Sequence, residues 1–214
     1  MEFLQDRQFL RLLSILFFAF LPLLCWVIST SLGHSRRFFS MISGNYLLSP
    51  ERWIFAVGVF VYILCHLSLG LIANSVVLSF EYHYALSVIE LIMLSLLMVI
   101  AVVPAQYVLG LHAIVGSFLF TIGVIWMGGV MVRAFEQSAP IISALRGLLS
   151  IIATSSLLGM MRSIPLDLIG ELISSGNDFE KRVKLLGKDA RWDKFACFEW
   201  LYFYSVAGFL LTCV

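Results

Sequence analysis

Six long runs of apolar residues fill most of this 214-residue chain, and runs of that length leave few folds open to it. A helix rises about 1.5 Å per residue, so about 20 apolar residues cross about 30 Å of hydrocarbon. Stretches that meet this length fall at roughly 10–33, 53–79, 83–103, 106–132, 141–161 and 195–214. Hydrophobic residues make up 61% of the chain and charged ones 13%, against roughly 25% charged in soluble domains. A water-facing globule is therefore excluded. The expected fold is all-α, a polytopic six-helix transmembrane bundle forming a single domain over 1–214, with a short structured loop between spans five and six.

An even number of crossings puts both termini on one face, the terminal face, together with loops 80–82 and 133–140. The first run carries Pro22 and has Arg11 only at its edge, and it is read as a retained helix because it is too long for a removable signal. Leu91 to Val132 contains no Asp, Glu, Lys or Arg, so Pro104 and Gln106 mark the reversal of a tight hairpin. The opposite face carries the two segments long enough to hold structure, 34–52 and 162–194. In the second of these, Pro165 opens an apolar stretch that ends at Gly176, and Asn177 or Asp178 can cap another helix that Gly187 stops. Phe179, Val183 and Leu186 share one face of it, with Lys181, Arg182 and Lys184 elsewhere. Such a helix either lies on the membrane with its bases on lipid headgroups or packs as a cap over the bundle.

A charge at mid-bilayer costs several kcal/mol unless it is paired, snorkelling or hydrated. The positions to explain are therefore Glu90, Arg146, Glu199, His66 and His112. Counting from a turn near residue 81 places Asn74 and Glu90 at equal depth, with Arg146 entering from the same face, as one polar layer. Near the other face His112 and Glu199 share a second depth, and His66 stands between the layers. These layers could fix helix neighbours by hydrogen bonding, or line a polar cavity that binds a headgroup or relays protons. Arg146 could meet a phosphate or snorkel. Ala113, Ser117 and Thr121 form one small-residue stripe, and Ser143 with Gly147 another, where backbones can approach. No metal-spaced cluster, nucleophile motif or phosphate loop is present, the four cysteines suggest no disulfide framework, and no cofactor, metal, catalytic residue or nucleic-acid partner is expected.

In the first loop, Ile42-Ser43, Pro50-Glu51 and then Phe55 resemble the signature of the Frag/DRAM/Sfk family of six-span membrane proteins. Leu111-His112 with Gly116 and Phe118 is similar to that family's span-four start, and Glu199-Trp200 with Gly208, Phe209 and Thr212 to its span six. Asp6-Arg7, Leu10-Arg11 and Glu90-Leu91 look most like the members that act in GPI-anchor lipid remodelling, whereas Ser175-Gly176-Asn177 is more like the autophagy modulators. The resemblance implies cytosolic termini. The positive-inside rule implies the reverse, because ten bases, among them Arg36, Arg37, Arg52 and Arg162, lie on the loop face. The family has no established catalytic constellation. What it implies is a non-enzymatic subunit that handles GPI or phospholipid, binding lipid through bases such as Lys181, Arg182 and Lys184 and working with another membrane protein. The expected location is the endoplasmic reticulum or Golgi, with lysosome or plasma membrane as alternatives. An intramembrane acyl-remodelling enzyme using His112 and Glu199, or a channel or proton-coupled carrier along Glu90, His66 and His112, are the competing functions.

Overall fold

A computed structural model describes residues 2–35, 40–72, 80–103, 109–134, 138–176 and 178–214. Asn74, Asn177, Arg36, Arg37, Pro104 and Gln106 lie outside the described residues, as do the side chains of Arg133 and Lys188. The described chain is helical, with no strand among the described residues. Its elements are α1 (Glu2–Ser31), a 3-10 turn (Ser43–Tyr46), α2 (Glu51–Leu69), α3 (Phe80–Val102), α4 (Leu109–Ala134), α5 (Pro140–Ser163), α6 (Leu166–Ser174), α7 (Phe179–Lys188), a second 3-10 turn (Ala190–Trp192) and α8 (Asp193–Leu211).

Among the described residues, five stretches, in α1 to α5, are long and apolar enough to cross a membrane: Asp6–Ser31, Glu51–Leu69, Tyr84–Val102, Gly110–Val132 and Pro140–Ser163. The sixth helix, α8, is diluted by Asp193, Lys194 and Glu199. It nevertheless runs antiparallel to α5 along its length. A Cβ on Gly159 of α5 would stand 2.6 Å from the Phe198 ring, and one on Gly208 of α8 would stand 3.4 Å from Leu149. At the far end Arg146 of α5 reaches Thr212. α8 thus covers the same depth as α5, and the chain is an integral-membrane helical bundle.

Each span packs on the next, α1 on α2, α2 on α3, α3 on α4, α4 on α5 and α5 on α8, and α8 returns to α1, which closes a ring. Lipid tails are as apolar as these side chains, so association relies on close packing. At Gly58 in α2, an added Cβ would overlap the end of Leu21 in α1. One core cluster includes Trp126, Met127, Val130 and Phe209 near the terminal face and runs along α5 and α8 to Met160. A second, with Phe18, Tyr46, Phe55, Tyr62 and Trp200, fills the other side, where the Phe18 and Tyr62 rings stack at 4.3 Å and those of Tyr46 and Phe55 at 4.0 Å.

Two boundaries depart from the sequence expectation. Span two, predicted over 53–79, ends at Leu69, because Gly70 takes φ +86° and its N–H turns back to the Leu67 carbonyl. Only glycine adopts that backbone cheaply. The predicted loop 80–82 is already helix, since α3 begins at Phe80. In the cap, Asp178 is the helix N-cap, accepting from the Lys181 N–H at 3.0 Å, and α7 runs one residue past the predicted stop at Gly187. The packing that the cap reading expects is present. Leu185 and Leu186 are buried with Met41, Leu47, Leu168, Leu172 and Trp192 in a third apolar cluster, and Val183 on the same helix is also buried. Outside it, Arg191 donates to Asp167 at 2.7 Å and to Asp189 at 3.0 Å, and the Asp189 hydrogen bond, ahead of the other carboxylates, raises its pKa further.

Gly159→Ala should destabilise the protein by about 1–3 kcal/mol, as overpacking does, because the rigid Phe198 ring cannot yield. Gly128→Ala, whose Cβ would meet nothing within 4 Å, should be neutral or gain about 0.5–1 kcal/mol. Thermal unfolding in one detergent distinguishes them.

Candidate functional site

The ring surrounds a partly open cavity of about 820 Å³. It exists because α4 holds to α3 and α5 but scarcely meets α8 across the ring. Tyr202 bridges part of that gap, donating its hydroxyl to the Phe120 carbonyl at 2.6 Å. The walls are apolar and rich in aromatic rings, including Phe18, Phe120, Trp126 and Phe203. Polar groups gather at its two ends, and the same cavity is lined by His66, Glu90, His112 and Glu199.

At the terminal end, Glu90 is 4% exposed and His66 2%. The His66 Nε2–H donates to Glu90 Oε1 at 2.5 Å, and the Ile72 N–H donates to the same oxygen at 2.8 Å. Gly70 makes this possible, because ending α2 there swings the Ile72 amide toward α3. Arg11 of α1 donates to the carbonyls of Leu69 at 3.0 Å and Gly70 at 2.8 Å, and lies within Coulombic reach of Glu90. Its charge suits the helix C-terminus of α2. His66, expected between layers, is therefore the direct partner of Glu90.

At the loop end, Glu199 is buried and accepts the Ile42 N–H at 2.7 Å, with Ser43 adding its N–H and hydroxyl. The neighbouring Trp200 donates from its indole to the Ser40 carbonyl at 2.8 Å, and Ser40 bonds Asn45. Glu199 and Trp200 thus clamp the first loop onto α8. A parallel clamp joins Glu51, fully buried at the start of α2 after Pro50, to His34 at 2.6 Å. Arg182 of α7 is half-buried at the cavity mouth and donates to Ser175 at 3.4 Å, whereas Lys181 and Lys184 are exposed.

The proposed layers are rearranged accordingly. Glu90 bonds His66 and not Arg146, which is 5% exposed and turns to Thr212 and Ser138, donating at 2.6 Å to the Thr212 carbonyl and 2.7 Å to the Ser138 hydroxyl. Arg146 neither snorkels nor stands open to a phosphate. His112 shares the cavity with Glu199, but its ring N–H donates to the Val103 carbonyl at 2.9 Å, closing the α3–α4 hairpin. The hydroxyls of Ser117 and Thr121 return to carbonyls of their own helix at 2.8 Å. The Ala113 stripe is exposed, while the Ser143 and Gly147 stripe faces Met131 of α4. Sequence reasoning missed the Arg11 contacts and the His34–Glu51 pair. A base at a span edge and an acid in a first helical turn were their signals.

The fold and site together define an integral-membrane six-helix bundle around an amphiphilic cavity. No family model, curated protein or solved structure matches the chain.

Glu199→Leu would strand the buried donors of Ile42 and Ser43, and an unsatisfied buried donor costs about 1–3 kcal/mol. Glu199→Gln keeps an acceptor and should lose less. Hydrogen exchange over 41–46, read with the melting temperature, should rise strongly in the first variant and weakly in the second.

Proposed function

We propose that this protein is a non-enzymatic multi-pass subunit that supports lipid handling, in GPI-anchor lipid remodelling or phospholipid transport, by holding lipid in its central cavity and binding another membrane protein. The observation that carries this is the cavity itself. Its volume, about 820 Å³, falls within the roughly 300–1,000 Å³ of small-molecule sites, which pair apolar walls with a few placed polar groups. Placing the chain in the Frag/DRAM/Sfk family and in the endoplasmic reticulum or Golgi belongs to the same proposal and is carried by the loop-one and span-six motifs. Ile42 and Ser43 of the first motif bond Glu199 of the second, so the motif residues act as one structural unit.

Against the acyl-remodelling enzyme, His112 and Glu199 are each committed to backbone groups of different segments, an arrangement that suits a scaffold better than an acid and base pair. Protein purified in a mild detergent from its native membrane should carry about one lipid per chain and a stoichiometric membrane partner in native mass spectrometry. It should show no turnover of labelled GPI or phospholipid. Turnover lost in His112→Ala would favour the enzyme, and folded protein that carries no lipid would remove the proposal.

A further inference from the structure

The cavity's outline shows how a lipid would reach it. α4 and α5 are close at the terminal face, where a Cβ on Gly147 would stand 3.8 Å from the Met131 sulfur. Toward the loop face both turn into cavity wall. Gly110, Ala113 and Ser117 of α4 line the cavity and are exposed, as is Met161 of α5, which is 63% exposed. Lining residues this accessible mark a slit, a stretch where no neighbouring helix among the described residues closes the wall. A Cβ on Gly110 would meet nothing within 4 Å, so the slit is open there.

These positions lie within the stretches Gly110–Val132 and Pro140–Ser163, which are long and apolar enough to cross a membrane, so the slit would open on lipid. Its upper rim is α6, where Ile173 lines the cavity while 70% exposed. Two cations stand at that level: Arg182, which lines the cavity, and Arg162, exposed in the last turn of α5 next to Met161. A guanidinium fork matches phosphate oxygens in pairs, which an ammonium does not.

We propose that the slit between α4 and α5 is a lateral portal through which one acyl chain of an anionic glycerophospholipid from the loop-side leaflet enters the cavity, with its phosphate held at the rim by Arg182 and Arg162. This rests on the lipid-binding function proposed above and specifies its ligand and route.

The test reconstitutes the full chain with equal phosphatidylglycerol and phosphatidylcholine and reads retained lipid by native mass spectrometry. Wild type should keep one phosphatidylglycerol in preference. Ala113→Trp, and independently Gly110→Leu, should plug the slit and cut retention roughly tenfold, the loss of about 1.4 kcal/mol of binding. Ile114→Trp, on the outer face of the same helix and 58% exposed, should not. Arg182→Gln should erase the preference for phosphatidylglycerol. Unchanged retention in both plugged variants, at wild-type melting temperature, overturns the portal and leaves the lipid-binding function standing. An unchanged lipid preference in Arg182→Gln overturns the headgroup assignment. A wild type that retains neither lipid overturns the proposed function itself.

Discussion

A carboxylate inside a bilayer has no solvent to hold its charge, so the protein must supply every partner. Glu90 receives a histidine N–H from α2 and an amide N–H from the residues just past it, with the Arg11 guanidinium nearby. Glu199 receives amides of the first loop. In both cases satisfying one charge ties together segments far apart in sequence. Arg146 does the same at the far end of α5, where it seals the carbonyl left at the end of α8. The bundle is therefore pinned at its two ends by polar contacts.

Between those ends, shape complementarity, with the Tyr202 hydroxyl on the Phe120 carbonyl, decides which helices touch. Where glycine allows it the contact is intimate, as at Gly58 against Leu21 and Gly159 against Phe198. α4 is drawn toward α3 by Gly129, which accepts Leu86, and is held toward α8 by the Tyr202 hydroxyl and by Trp126 packed edge-on against Phe209. A six-membered ring tied this way leaves its centre unfilled. The cap adds a roof, because α6 and α7 bury their apolar faces against the first loop. An apolar chamber with a polar group at each end, sitting among lipids, suits an amphiphile better than an ion.

The helices were legible in the sequence because hydropathy integrates over twenty residues, and the cap was legible in outline from Pro165, Gly176 and the Val183–Leu186 spacing. The polar pairings were not. The apolar run continues past Gly70, so composition gives no sign that α2 ends there, and a positive φ on one glycine decides it. Depths counted from a turn near residue 81 then assigned Glu90 to Arg146, when the real break places His66 beside it. For His112 and Glu199 the depth estimate brought both to one cavity, but their bonds go to nearby backbone, which counting residues cannot foresee. Whether an amphipathic helix lies on a membrane or on protein depends on a facing surface, and the first loop supplies it through Met41 and Leu47.

The dependence of the bundle on internally satisfied charge is tested most directly by a double-mutant cycle on His66→Leu and Glu90→Leu, read by thermal unfolding in a single detergent. Each single change removes one partner of the buried His66–Glu90 bond and the double change removes both, while the Ile72 amide loses its acceptor equally in Glu90→Leu and in the double variant and so cancels from the cycle. The predicted result is a coupling of about 0.5–3 kcal/mol, with the double variant more stable than the sum of the single losses. Strict additivity would mean that the two side chains do not hold each other inside the membrane.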